Sequence, residues 1–420
     1  MQARAVLQAV AVSVLGVLPV FFVGALAVQI RADLDLGLGA FGLATATLFA
    51  VSGSLARPCG RLVQRLGSRR GTALAAILAT ASLVAVALAQ SHVWLMAALA
   101  LGGVGNAVAQ PSANLGISEL VTEQRLGLAF GIKQSSIPAA TLMGGLAVPG
   151  IALVVGWRWA MAAAALLAFC LLVWSAATRR DATARPRRSF GGDPDKGLPQ
   201  SGLVVLTVGA FLGAAASTST GVFLVDSGVT AGLAPGTAGL LFAACSVFGL
   251  FSRVGFGWLA DRHPDRSRYL FIANLLLCGA VGYALLSTGR VSLFILGSLL
   301  AYGMGWAWTG LFHFAIIKDN RMAAASVTGF VQTGLSLGAA TGPLVFGFLA
   351  EHTSYRTAWL MAAGLSLAAA LTIRRGRRLV RRSRGLPVAS RRRRRPLAEV
   401  GLPELHSPSR IALAMPGTVP

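Results

Sequence analysis

Apolar and polar residues come in blocks along this chain rather than in alternation. Apolar runs of about twenty residues, the length that carries an α-helix across a bilayer, recur twelve times. They lie at roughly 6–29, 40–59, 71–90, 93–115, 128–150, 158–177, 202–226, 235–259, 269–287, 291–314, 325–349 and 357–373. The pattern predicts an all-α membrane protein with twelve transmembrane helices. Most connections are short. The exception, 179–200, is rich in Pro, Gly and charge and reads as a linker between two bundles. The expected organisation is an N-terminal six-helix bundle (1–178), a cytoplasmic linker (179–200), a C-terminal six-helix bundle (201–374) and a basic, disordered cytoplasmic tail (375–420).

Orientation follows from basic residues in the short loops. Arg61, Arg65, Arg69 and Arg70 follow the second run, the linker is arginine-rich, and Arg262, Arg266 and Arg268 follow the eighth. The alternate loops carry few bases, Arg31, Arg158, Arg290 and Arg356, mixed with Asp33, Asp35, Asp226 and Glu351. Both termini are therefore expected in the cytoplasm, with the chain multi-pass in the plasma (inner) membrane. The N-terminal run resembles a signal peptide at Ala25-Leu26-Ala27, but it is too long for a typical h-region and eleven more runs follow. It is expected to stay as the first helix.

Composition agrees. Hydrophobic residues make up 55% of the 420 and charged residues 12%, about half the charge of a soluble domain. The formal net charge of +23 suggests a nucleic-acid partner until it is located: twelve arginines and no acid lie between Arg374 and Arg395. A basic tail beside the last helix is expected to hold anionic lipid, with no nucleic-acid partner. The four cysteines, Cys59, Cys170, Cys245 and Cys278, lack ligand or disulfide spacing and read as buried small hydrophobes. No metal and no cofactor are expected.

The halves repeat. At an offset of 198, Gly131 meets Gly329, Gln134 meets Gln332, Gly144 meets Gly342, Trp157 meets Tyr355 and Arg158 meets Arg356. At 197, Gly60, Leu62, Gln64 and Arg65 meet Gly257, Leu259, Asp261 and Arg262. The segments Gly60-Arg61-Leu62-Val63-Gln64-Arg65-Leu66-Gly67-Ser68-Arg69-Arg70 and Gly257-Trp258-Leu259-Ala260-Asp261-Arg262 resemble the signature loop of the major facilitator superfamily (MFS). In that family glycine permits close helix approach, and an acid with arginines forms a cytoplasmic latch. Gln64 stands where the first-half acid is expected. Gly329, Gly338, Gly342 and Pro343 of span eleven resemble a packing motif that the superfamily more often carries in span five. Span five has only Gly131, Pro138, Gly144 and Gly145. In span five that motif accompanies antiport, so its loose form weighs against drug export. The stretch 97–105 also lacks the arginine that many members carry in span four. The resemblance, over roughly 5–375, implies two pseudo-symmetric six-helix bundles with a midplane site between them and alternating access by rocking. The arginine- and alanine-rich composition points to a GC-rich bacterial genome.

Charge within hydrocarbon marks function by default. Lys133 in span five and Arg253 in span eight are the deepest cations, and all fourteen acids fall in loops or at span ends. Gln134, its repeat mate Gln332, Asn106 of the Asn106/Gln110/Asn114 stripe, Trp306 and His313 complete the candidate substrate-binding set. For each a bland reading stands beside the functional one. Lys133 and Arg253 can snorkel or pair with loop acids, the polar stripe can be interhelical glue, the tryptophans can be packing, and His313 a structural histidine. Two deep cations without an acid point to secondary transport of a small anionic metabolite. Span eight, with Arg253 four residues before Gly257 of the signature loop, resembles that of monocarboxylate-type and cyanate/nitrate-type members. Coupling, for instance symport with protons, can run through the substrate's acid, through His313, or not at all. The alternative is proton-coupled efflux of hydrophobic drugs or secondary metabolites. A receptor or scaffold would call for an appended domain. No catalytic constellation and no phosphate-binding Gly-Lys-Ser/Thr loop supports an enzyme or an ATP-driven pump. The expected unit is a monomer in the bilayer, with a small-molecule substrate.

Overall fold

The computed structural model describes residues 2–120, 126–177, 200–263, 267–319 and 324–383. The first span is Gln2–Ala25, continued after a turn at Leu26 by Ala27–Leu34. Next comes a single helical stretch of fifty residues, Leu38–Ala87. Straight, it would measure about 75 Å, far more than a bilayer's ~30 Å hydrocarbon. It folds back at Gly67, whose φ of 79° and ψ of 161° suit a residue without Cβ, and so supplies spans two and three. The fourth span is His92–Leu120. The fifth is segmented, Leu126–Gln134, Ser136–Ala147, a π-turn at Val148–Ala152 and Leu153–Val155, and the sixth is Trp157–Ala177. The second half repeats the plan with Gln200–Thr230, Pro235–Arg262, Arg268–Leu286, a tenth span broken into Val291–Gly303 and Trp308–Asp319, then Ala324–His352 and Tyr355–Ser383.

Ten of these stretches are long and apolar enough to cross a membrane, and Trp157–Val173 is a shorter apolar helix. Counting the two arms of Leu38–Ala87 separately, the described residues hold twelve spans. Large apolar side chains such as Val93, Val154, Trp159, Leu166 and Phe251 stay exposed on the outside. That is the surface a lipid-facing helix requires, since its backbone is already satisfied internally.

The two six-helix bundles meet along matched pairs of helices: span two against eleven, span five against eight, and span one against seven. The N-terminus, the Gly67 bend and the end of span twelve share one end, the basic end. At the opposite end the bundles are sealed. Arg31 donates to Asp226 at 2.7 Å, and the Tyr355 hydroxyl donates to the same carboxylate. The Gly39 N–H donates to Glu351 at 2.5 Å. Small residues allow the approach: a Cβ on Gly42 would lie 2.5 Å from the Pro343 carbonyl oxygen, and one on Gly145 would lie 2.7 Å from that of Gly239.

Four expectations change. The segment read as a loop after span two is helical from Gly60 to Leu66, and the turn is confined to Gly67. A Cβ on Gly60 would meet nothing within 4 Å, so close packing is not its role. Gly329 likewise faces open space, whereas Cβ atoms on Gly338 and Gly342 would collide with the Phe211 and Ala215 carbonyls of span seven. Cys59 and Cys245 are buried, but Cys170 and Cys278 are exposed, because each falls on the outer face of its helix. The twelfth helix does not stop at the end of its apolar run but continues to Ser383, so 375–383 is not a disordered tail. The linker, apart from Gln200, and the rest of the tail lie outside the described residues.

Candidate functional site

The break in span five sets up the site. Pro138 lacks an N–H, so the Gln134 carbonyl, four residues earlier, loses its helical donor. Ser135 sits in a turn, and regular bonding resumes with the Ala139 N–H on the Ser135 carbonyl at 3.0 Å. The freed Gln134 carbonyl is taken by span eight. Arg253 Nη1 donates to it at 2.8 Å, while Nη2 donates to the Trp306 carbonyl at 3.0 Å, in the break of span ten. One guanidinium thus satisfies backbone at two interrupted helices and ties the bundles together. Arg253 is 2% exposed, its Nε has no partner, and its charge lies 5.6 Å from the Trp306 ring centroid.

Lys133, 4% exposed, donates to Gln110 Oε1 at 2.7 Å. Gln110 donates to Asn106 at 3.2 Å, and Asn106 to Ser52 at 2.9 Å. The Asn106/Gln110 part of the span-four stripe therefore runs from span two to span five. Asn114 stays outside this chain of bonds, its buried Oδ1 unpartnered.

His313 lies between the two repeat-related glutamines. Gln134 Nε2 is 3.2 Å from His313 Nδ1, and Gln332 Oε1 is 3.3 Å from Nε2. The Thr309 carbonyl is 2.8 Å from Nδ1. A neutral ring protonated on Nε2 donates to Gln332 and accepts from Gln134. A ring also protonated on Nδ1 cannot accept there and must donate to Thr309 instead. The two states of one imidazole thus differ in whether it accepts from the N-terminal bundle. Gln332 continues to Ser336 at 3.4 Å.

The structure thus gathers all seven sequence candidates, Lys133, Gln134, Arg253, Gln332, Asn106, Trp306 and His313, into one polar assembly between the bundles. An aromatic wall flanks it. Trp306 packs edge-on to Phe21 (5.4 Å) and Tyr302 (5.1 Å), and Phe21 contacts Phe49 at 6.3 Å. Among the described residues no carboxylate pairs with Lys133 or Arg253; the ion pairs Arg31–Asp226 and Arg158–Asp33 lie at the opposite end. Sequence reasoning missed Ser52, Thr309, Tyr302 and Ser336, whose residue types carry no signal, and the role of Pro138, which did.

The signature-loop residues separate. Gln64, Arg61, Arg65 and Arg69 are exposed. The second-half acid is engaged: Asp261 accepts a hydrogen bond from the Leu128 N–H at the start of span five, with Lys318 and Arg268 nearby. Gly257 is buried where Gly131 approaches it, and the Arg262 guanidinium stacks 4.1 Å over Trp258.

Twelve spans in two repeated halves, with a polar assembly at their interface, define a polytopic membrane carrier. The chain belongs to the Major Facilitator Superfamily, whose sequence pattern it matches over residues 9–322. It is 30% identical over 385 residues to the chloramphenicol resistance protein of Streptomyces lividans, covering 87% of this chain and 94% of that one. It is 27% identical over 295 residues to the uncharacterized MFS-type transporter EfpA of Mycobacterium tuberculosis, covering 69% and 52% respectively. Among solved structures it resembles a bacterial homologue of the human lysosomal transporter Spinster, described as inward-facing and unoccupied. The TM-score is 0.71 at 16% identity, over 91% of this chain and 98% of that one. Its activity is therefore membrane transport.

Proposed function

We propose that this carrier moves a small anionic metabolite, driven by gradients, with both termini in the cytoplasm and the substrate held between the bundles at Lys133. The observation that carries the reading is a buried ammonium with no carboxylate partner among the described residues. A cation in low dielectric must be paired or solvated by dipoles, and among the described residues Lys133 makes one hydrogen bond, to Gln110, from an ammonium with three donors. Arg253 is committed to two carbonyls, so it shapes the site and adds positive potential, while Lys133 supplies the free donors. Gln134, Gln332 and Asn106 line the path, and His313 is the group available for proton coupling.

A second reading, efflux of neutral or lipophilic drugs, is favoured by the full-length relative whose name is chloramphenicol resistance protein and by the aromatic wall beside the assembly. One binding experiment separates the two. Purified protein and Lys133→Ala are heated with a panel of small mono- and dicarboxylates, nitrate, cyanate, chloramphenicol and lipophilic cations. A ligand that binds the folded form raises the apparent melting temperature. The anion reading expects an anion to stabilise the wild type and lose its effect in the variant. Stabilisation by chloramphenicol or lipophilic cations alone, unchanged by the substitution, overturns it in favour of efflux.

A further inference from the structure

The twelfth helix spends more residues than a membrane needs. Tyr355–Ser383 is 29 residues, about 44 Å at 1.5 Å each. Its apolar stretch ends at Ile373, and the next nine residues hold Arg374, Arg375, Arg377, Arg378, Arg381 and Arg382 without an acid. This extension is docked rather than free. Ile373, Gly376 and Val380 are buried, and a Cβ on Gly376 would lie 2.8 Å from Leu206 of span seven. Arg374 Nη2 donates to Asn274 of span nine at 2.9 Å.

Helical spacing sorts the six arginines into two columns. Arg375, Arg378 and Arg382 are exposed, whereas Arg374, Arg377 and Arg381 flank the packed face and are half-buried. In the second column every Nε is buried without a hydrogen-bond partner. None of the six pairs with a carboxylate among the described residues. Buried guanidinium donors normally find an acceptor. A column of three with unpartnered Nε atoms, rising over about 10 Å directly beyond the hydrocarbon segment, calls for a repeated acceptor at that height.

We infer that the Arg374/Arg377/Arg381 column, backed by the exposed column, is a binding site for the headgroup phosphates of anionic phospholipid. A phosphodiester offers two non-bridging oxygens to the reachable donors of the planar guanidinium fork. The height of the column is that of the headgroup layer, and the columns are rooted in a span, which favours lipid over a soluble polyanion. The site is independent of the solute carried, and it makes the end of span twelve an anchor that lipid charge strengthens.

The test uses the full chain, purified in mild detergent and offered phosphatidylglycerol, phosphatidylcholine, inorganic phosphate or a short DNA duplex. Retained lipid is counted by native mass spectrometry and stabilisation by thermal shift. Phosphatidylglycerol is expected to be retained and to stabilise, with little response to the other three. Each arginine near the surface is worth about fivefold in affinity for anionic lipid. Arg374→Gln with Arg377→Gln and Arg381→Gln should thus weaken it on the order of a hundredfold. Equal retention of phosphatidylcholine, an equal response to phosphate or DNA, or unchanged binding in the triple variant overturns the site. If the triple variant does not elute as a folded species, the Arg→Lys triple is read instead: retention below wild type supports the guanidinium assignment, and retention equal to wild type overturns it.

Discussion

Arg253 is the residue whose removal tests the architecture most directly. Its two terminal nitrogens occupy the carbonyls of Gln134 and Trp306, at breaks in spans five and ten. Arg253→Met leaves both oxygens buried and unpaired. Each stranded group costs about 1–3 kcal/mol, so the gross penalty is on the order of 2–6 kcal/mol, lessened by removing a buried cation. The Gln134 share exists only because residue 138 is proline. Pro138→Ala restores an N–H four residues after Gln134, which can donate to that carbonyl within the helix. In that background Arg253→Met strands only Trp306, and its penalty should shrink by about 1–3 kcal/mol. Equilibrium unfolding of the four proteins in mixed micelles gives the coupling energy. A value within ~0.5 kcal/mol of zero, the additivity expected of independent sites, would falsify the assignment of Arg253 as the donor that replaces the missing proline N–H.

Three further outcomes follow from the same geometry. Lys133→Met should leave stability unchanged or raise it by about 1 kcal/mol, because it removes a buried unpaired charge, while transport in proteoliposomes is lost; a loss of both stability and transport would instead mark Lys133 as structural. Gly342→Ala drives a methyl into the Ala215 carbonyl of span seven and should cost about 1–3 kcal/mol, whereas Gly329→Ala, with nothing within 4 Å of its Cβ, should change the unfolding midpoint little. His313→Gln keeps a polar bridge between Gln134 and Gln332 but cannot take up a proton, so substrate exchange should persist while accumulation driven by a pH gradient disappears; accumulation equal to wild type would remove His313 from coupling.

Much of this was legible along the chain because a bilayer constrains sequence severely. Every span must be about twenty apolar residues long, so the twelve segments stand out from composition alone. A charge at that depth is too costly to be incidental, which singles out Lys133 and Arg253. The 198-residue repeat marked Gln134 and Gln332 as equivalent positions before any geometry showed both beside His313. Pro138 was visible as well, and with it a carbonyl without a helical donor.

What the sequence alone determined, then, is whatever depends on local pattern: span number, the repeat, the family, and which polar residues lie in hydrocarbon. Partner choice was decided only in three dimensions. Nothing in spacing says that Arg253 serves two carbonyls on other helices rather than Asp261, or that Asp226 meets Arg31 across 195 residues. Nor does it say that Gly338 and Gly342 abut backbone while Gly60 and Gly329 face open space. The same holds for the arginines from Arg374 to Arg382, which composition reads as the start of a disordered, lipid-held tail and which packing on Leu206 holds in a helix. Hydrophobicity places a residue at a depth, but the rotation of each helix about its axis and the helix it faces are set by side-chain packing between bundles, and that information is not local to any segment of the chain.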